Sequence, residues 1–405
     1  MEIKTKYQFT YFIYPYIIGE KKYENYLYKI LVNNKFKIKK FEKEKDKEIY
    51  DYFLPKVRDN LFWTLGYNSL KVSKLQEFDK KMQAVLLSKY PCTIFEYNIK
   101  KDIQGKAGKK EDGIFFNLVS AELICFKTGV SFLLVKTTLN KDSTLRDLCN
   151  FNYKFRNINF SEKNSSADHI KIQADKLKDV KEIKAFIKEI IGNNKKTRDL
   201  NIDTEKFIVY SYACVGQEFW EDTNMRDLLM KEYNKFANVE KAETVVNSSV
   251  QAKIESKHNY IYGVTNNGTV LITSDRNTAG YTEHPQKFEN EQLYSYIYQL
   301  YKNIYLKKLN LEFKNKFSRT KEKYINFVQE IMIQDVTNDA LGAELNVVWE
   351  KVLRIKEHFT ESKQKYDVLY KNKNIEKTAR SNRIIAIILV ILVIINIINC
   401  INMYR

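Results

Sequence analysis

Three asparagines near the carboxyl end have the residue type and spacing for hydrogen bonding in an apolar setting. Asn396, Asn399 and Asn402 lie three residues apart within residues 384–403, which carry no charge and include ten isoleucines. On a helix this spacing gives a slowly drifting stripe on one face. Asn396 would lie about 18 Å into the stretch, where an unpartnered amide is costly in lipid and helix association relieves that cost. The alternative is that Asn399 and Asn402 sit at the far interface and that Asn396 reflects codon bias.

A second candidate site is a basic segment, IQGKAGKKEDG, at residues 103–113. Lys106, Lys109 and Lys110 are predicted to bind an anionic ligand, and the alternative is a basic loop between two strands. A P-loop needs four residues between its glycines, followed by Lys and then Ser or Thr. Gly105 and Gly108 are too close together for that motif, so a nucleoside triphosphate P-loop is excluded.

The metal-ligating and nucleophilic residue types form no recognisable pattern. The five cysteines include no CxxC pair, and the four histidines include no HExxH motif. We therefore predict no metal site and no catalytic constellation, and we do not expect an enzyme. The sequence identifies no cofactor.

The net charge of +18 and the pI near 9.3 raise the question of nucleic-acid binding. The lysines are scattered along most of the chain and form no arginine-rich tract, so direct nucleic-acid binding is not expected. Two interpretations stay open. The lysines form a solvated surface, or they attract anionic lipid or a phosphate ligand.

The uncharged stretch at residues 384–403 predicts a transmembrane helix, because twenty helical residues rise about 30 Å, the thickness of the hydrocarbon core. Basic residues are concentrated on its amino-terminal side, and the positive-inside rule keeps that side in the cytoplasm. The sequence predicts a tail-anchored, single-pass protein of the cell inner membrane. The basic residues before the stretch are Lys371, Lys373, Lys377, Arg380 and Arg383, and Arg405 follows it.

A periodic pattern precedes the span and predicts either a coiled-coil seam or one face of an antiparallel helical hairpin. Its residues, at alternating intervals of four and three, are Leu341, Leu345, Val348, Val352, Ile355, Phe359, Ser362, Tyr366 and Leu369. Since residues 343–403 contain no Pro or Gly, we predict one continuous helix about 90 Å long. Further helices are predicted at 291–317 and 321–334.

The rest of the chain alternates between strand and helix patterns. Strands are predicted at 7–13, 92–99, 114–126, 130–138, 207–215, 260–265 and 269–273, and helices at 21–31, 47–61, 74–87, 179–191 and 222–236. The last two strands form a hairpin through Asn266, Asn267 and Gly268. The predicted fold class is an α/β or α+β cytosolic domain with a mixed sheet, followed by a helical stalk and one transmembrane helix. The predicted divisions are 1–156, 157–290, 291–383 and 384–403.

The layout from residue 259 onward resembles the CorA-like metal transporter superfamily. The matching parts are the hairpin YIYGVTNNGTVLIT, the helix LYKNIYLKKLNLEF, and WEKVLRIKEHFTESKQKYDVLYK leading into the span. The resemblance implies a cytosolic α/β domain, a long stalk helix and a homo-oligomer. The family's Gly-Met-Asn motif and its second span are absent, so selective magnesium transport and the family's metal sites are not carried over.

Some CorA-like proteins serve as membrane effectors of type III CRISPR defence, gated by a nucleotide signal. The resemblance therefore implies an oligomeric membrane effector in antiviral defence, in which a cytosolic sensing domain binds a small nucleotide and opens a minimal pore or ion channel. The alternative is a tail-anchored, non-conducting scaffold that recruits a partner to the membrane. A membrane-tethered enzyme acting on a phosphorylated substrate is a third hypothesis.

Overall fold

One mixed sheet forms the centre of the soluble part. The computed structural model describes residues 2–33, 35–66, 70–98, 103–108, 113–158, 170–173, 181–191, 200, 205–244, 250–256, 259–315 and 317–403, and the sheet has twelve strands within them. The strands are β1 (Thr5–Ile17), β2 (Phe36–Ile38), β3 (Cys92–Tyr97), β4 (Gln104–Ala107), β5 (Ile114–Phe126), β6 (Val130–Leu139), β7 (Ile170–Gln173), β8 (Lys181–Glu182), β9 (Ile208–Val215), β10 (Ala252–Ser256), β11 (Tyr260–Thr265) and β12 (Gly268–Ser274).

The strand order is β10-β11-β12-β9-β1-β6-β5-β4-β7-β8, and β3 pairs with β2 and with the second half of β5. Among the described strands, only β12 and β9 pair in parallel. The predicted mixed sheet is therefore confirmed. Strands from both sides of residue 157 belong to this one sheet, and the division of the soluble part at that residue stays a prediction.

Strand β1 occupies the middle of the sheet because it is built almost entirely of β-branched and aromatic residues. Tyr11 and Ile13 pack into the core on one face, whereas Phe12 and Tyr14 pack into the core on the other. This alternation is the period of two that a strand buried on both faces requires. Pro15 is tolerated because the pairing of β1 with β9 ends at Ile13, leaving a neighbour on one side only.

The predicted hairpin is confirmed, with Thr265 opposite Gly268 across a two-residue turn. Gly268 has a φ of 148°, which an L-residue rarely adopts. The same turn closes onto β9, because the carbonyl of Asn267 accepts from the backbone N–H of Val209 at 2.9 Å.

Helices cover both faces of the sheet. They are α1 (Tyr23–Val32), α2 (Lys47–Tyr52), α3 (Pro55–Leu61), α4 (Val72–Gln76), α5 (Lys80–Leu87), α6 (Leu145–Arg156), α7 (Ile183–Ile191), α8 (Glu218–Glu221), α9 (Thr223–Asn238), α10 (Glu283–Lys287), α11 (Leu293–Asn315), α12 (Phe317–Asn326), α13 (Ala340–Val352) and α14 (Ile355–Met403). One core contains α1, α5, α6, α7 and α9, and the opposite core contains α2, α3, α11, α13 and the start of α14.

Two predicted helices are each split in the structure. The segment 47–61 breaks before Pro55, because the residue that precedes a proline is driven into extended conformation, and Leu54 has a ψ of 148°. The segment 74–87 breaks at Asp79, whose side chain accepts from the backbone N–H groups of Lys81 and Met82 and so starts α5. Helix α6 was not predicted, although Thr144 and Asp147 form a capping box at its start.

The prediction of one continuous helix over residues 343–403 is wrong. Helix α13 ends at Val352, and Arg354 adopts a left-handed conformation with a φ of 55° before α14 begins. From Ile355 to Met403, however, α14 is one helix of 49 residues, about 73 Å long. The soluble part therefore continues into the apolar segment without a break in the helix.

Candidate functional site: the long helix and its junction with the sheet

The second half of α14 is long and apolar enough to cross a membrane. An 18-residue window in it has a mean hydropathy of 2.6, and none of that window is buried within the chain. Exposed isoleucine, leucine and valine side chains cover the whole circumference from Ile384 to Ile398. Water cannot accommodate so large an apolar surface, whereas lipid can.

All three predicted asparagines lie on this helix. Asn396, Asn399 and Asn402 are exposed, and each is rotated by about 60° from the one before. Their proximity follows from helix geometry alone, and their predicted roles in helix association or in a pore stay a prediction.

The predicted basic site is only partly described. Lys106 lies on strand β4 instead of in a loop, because Gln104–Ala107 pairs with β5 on one side and with β7 on the other. Its ammonium group lies 5.2 Å from the ring centre of Phe115, and its register partner is Lys171. Lys109 and Lys110 lie outside the described residues. Binding of an anionic ligand by these three lysines stays a prediction.

The periodic face that precedes the span packs within the chain. Tyr366 stacks on Tyr324 of α12, with ring centroids 5.1 Å apart, and Phe359 stacks on the same ring at 6.4 Å. The hydroxyl of Ser362 donates to the side-chain oxygen of Asn310 on α11 at 2.8 Å. Helix α14 thus runs antiparallel to α12 and parallel to α11, and of the two predicted alternatives the hairpin describes its pairing with α12.

Polar contacts fix α13 to both α11 and the sheet. The indole N–H of Trp349, which is fully buried, donates to the hydroxyl of Thr269 on β12 at 3.0 Å. The side-chain oxygen of Asn346 accepts from Gln299 at 2.7 Å and from Ser295 at 3.0 Å, both on α11. Because buried polar groups of this kind are costly to unpair, these bonds hold α13, and with it the start of α14, in a fixed position on the sheet and α11.

Two lysines, the buried Lys302 and the half-buried Lys39, have their ammonium groups satisfied inside the soluble part and have a structural role. Lys302 donates to the carbonyl of Ile333 at 2.7 Å and lies 3.5 Å from Glu350, and burial lowers its pKa. Burial would also lower the pKa of Lys39, but Tyr294 and Glu122 outweigh it and raise that pKa. The charge of Lys39 is therefore retained between a phenol and a carboxylate.

A charged cleft of about 570 Å³ lies where the end of β1 meets α11 and α12. Glu20 accepts from Lys308 of α11 and from Lys323 of α12, each at 2.7 Å, and lies 3.7 Å from Arg319. Burial opposes ionisation of Glu20, but Lys308 and Lys323 outweigh it and lower its pKa. A neighbouring cleft of about 770 Å³ shares Glu20 and Lys323. Lys106 is not among the residues that line either cleft.

We call the cleft of about 570 Å³ between the end of β1, α11 and α12 the junction cleft. Sequence reasoning missed it. Glu20 and Lys308 are 288 positions apart, and neither belongs to a motif. Within the described residues, no group of three or more His, Cys, Asp or Glu side chains could hold a metal ion. The chain matches no protein-family model, no curated protein and no solved structure in the comparisons made.

Proposed function

We propose that the protein is a single-span, oligomeric membrane effector in which a cytoplasmic sensing domain controls a minimal pore. The observation that carries the proposal is the continuity of α14. Its first four turns pack against α11 and α12, and the side chains of its apolar segment are exposed from Ile384 to Asn399. A change in the junction is therefore transmitted to the apolar segment along one rigid element.

The orientation and setting belong to the same proposal. The basic residues between Lys371 and Arg383 precede the apolar segment, and the positive-inside rule keeps the sheet domain in the cytoplasm, next to the cell inner membrane. Antiviral defence, with gating by a small nucleotide, is the setting that the likeness to CorA-like effectors supports. A small anionic ligand would act most directly at the junction cleft, because Arg319 and Lys323 belong to the helix that packs on α14.

Self-association is supported by Asn396, an exposed amide at about the level of the bilayer midplane. In lipid such a group is satisfied by the same group on another copy. Release of a trapped dye from liposomes carrying the full-length protein tests the function. We expect Asn396→Leu to abolish release, whereas Ile394→Leu, which keeps an apolar residue at a nearby position, leaves release unchanged.

Mass measurement in detergent separates the outcomes. A monomer would overturn both the oligomer and the pore. An oligomer that keeps liposomes tight with every candidate ligand would instead favour the non-conducting scaffold.

Coupling is tested by inserting four glycines after Glu376, with four alanines at the same place as the control. Each glycine destabilises a helix by about 1 kcal/mol relative to alanine. The glycine insertion should therefore leave membrane insertion intact and stop ligand-dependent release, while the alanine insertion should keep the helix continuous. Equal gating by both variants would show that helix continuity does not matter.

A further inference from the structure

The apolar residues of the α14 face that packs within the chain end at Leu369. Continuing its spacing of four and three residues gives Lys373, Glu376, Arg380 and Arg383, all exposed. That face therefore has an apolar surface only as far as the soluble part extends, and it becomes charged immediately before the apolar segment.

A different face, offset by one residue, takes over at this point. We define the second seam as Val368, Asn372, Ile375, Ala379, Asn382, Ala386, Leu389, Val393 and Asn396, at intervals of four and three. Six of the thirteen residues 371–383 are charged, yet none of the six lies on the second seam. A charge-free stripe through so charged a segment is typical of a helix-packing face.

The second seam continues through the apolar segment with a distinct composition. None of the ten isoleucines at 384–403 lies on it, and it carries Ala386 and Asn396 instead. Isoleucine thus covers the other faces of the helix. Ala379 and Ala386 lie seven residues apart on the second seam, and Ala386 lies in the apolar segment, where a small residue lets helix backbones approach closely.

The aqueous part of the second seam is uncovered by the described residues. The exposed fraction is 57% for Val368 and 67% for Ile375, although both are large apolar residues. The occupant of this seam must contact it in water from Val368 to Asn382 and in lipid from Ala386 to Asn396, over about 42 Å of helix. A helix that crosses the same boundary at the same height meets this requirement.

We propose that the second seam is occupied by the same seam of a second copy of this chain, parallel and in register. The inference rests on the oligomer proposed above and identifies its interface. In register, Asn396 meets Asn396 in the membrane. In a parallel pair the residues flanking the seam also oppose each other, so Lys371 of one copy lies next to Glu376 of the other, with opposite charge.

Oxidative cross-linking of the full-length protein in lipid vesicles tests the interface. In a Cys400→Ser background, Asn372→Cys and Asn382→Cys on the second seam are compared with Asn374→Cys and Ser381→Cys, which point about 100° or more away from the seam midline. The four remaining cysteines are buried. We expect disulfide-linked dimers from the two seam variants and none from the two controls.

Equal cross-linking of seam and control variants, or cross-linking of the controls alone, would overturn the second seam. Charge reversal gives an independent measure. Lys371→Glu should reduce cross-linking at Asn382→Cys, and adding Glu376→Lys should restore it. An oligomer by mass that cross-links off the seam refutes this interface and leaves the proposed function standing, whereas a monomer refutes both.

Discussion

Replacing Glu291 with Gln should remove a pH dependence from the stability of the soluble part. Glu291 lies in the π-helical turn that leads into α11, and 6% of it is exposed. Burial raises the pKa of its carboxyl group to about 7. Lys287 opposes this shift, and Glu48 and Asp339 add to it.

The sign follows from proton linkage. In the folded protein Glu291 keeps its proton up to about pH 7, whereas the unfolded chain loses it near the ordinary value of 4.5. Between these values the unfolded state binds fewer protons, so the free energy of unfolding falls as pH rises, and the fall is complete above pH 7. The rise of the pKa from 4.5 to about 7 corresponds to at most about 3.4 kcal/mol, and solvent screening reduces this to about 2 kcal/mol.

Denaturant unfolding of the full-length protein in detergent micelles, followed by tryptophan fluorescence, measures this effect. All three tryptophans, Trp63, Trp220 and Trp349, are buried in the soluble part, so the signal does not report on the apolar segment. We expect the free energy of unfolding of Glu291→Gln, relative to that of the unsubstituted protein, to rise by about 2 kcal/mol as the pH is raised from 5 to 8. Glu357→Gln, at a residue whose carboxylate is 57% exposed, is the control. Parallel pH profiles for Glu291→Gln and the unsubstituted protein would refute the reasoning.

Three further outcomes are expected from the same unfolding assay. Trp349→Phe removes the donor to the Thr269 hydroxyl and should cost about 1–3 kcal/mol; a change within error would show that the bond contributes nothing. Arg354→Gly relieves a left-handed conformation and should stabilise by up to about 1 kcal/mol, and destabilisation would contradict this. Glu20→Gln should lower the free energy of unfolding at pH 7 and make it less dependent on pH in acid. Lys308 helps lower the pKa of Glu20, so the stabilisation by the ionised carboxylate is lost as pH falls through that pKa. The same loss of stability in acid for both proteins would count against the ion-pair network.

The sequence predicted elements whose signals are local. Strand β5 occurs at the predicted bounds, since the segment is rich in Ile, Phe, Val and Leu and contains no Gly or Pro. The hairpin at Gly268 and the apolar segment of α14 likewise depend on a few adjacent residues. The break at Arg354 had no such signal, because neither Gly nor Pro occurs there. It is imposed from a distance, by the contacts of Trp349 and Asn346 that hold α13 against the sheet and α11.

The same distinction applies to the candidate site. The stripe of Asn396, Asn399 and Asn402 follows from spacing on one helix, so sequence alone located it. The junction cleft joins Glu20 to Lys308 and Lys323 through the tertiary fold, and no periodicity or motif relates them. Strand β4, which contains Lys106, was not predicted; it pairs with the predicted β5 and with β7, and β7 follows many residues later and was not predicted either.

In the effector that we propose, the two faces of α14 would let a small change at the junction act on the membrane. Beyond Tyr370 the helix extends about 50 Å, so a tilt of about 5° at the junction displaces its far end by about 4 Å. Packed helices lie about 8–10 Å apart, so this displacement is large enough to open or close contacts along the second seam. Tyr324 connects the junction cleft to α14, because it stacks on Tyr366 in the last packed turns of α14 and belongs to the same helix as Lys323. An anion that competes with Glu20 for Lys323 would therefore act near the packed turns of α14, and the displacement would be larger at Asn396, near the far end of that helix.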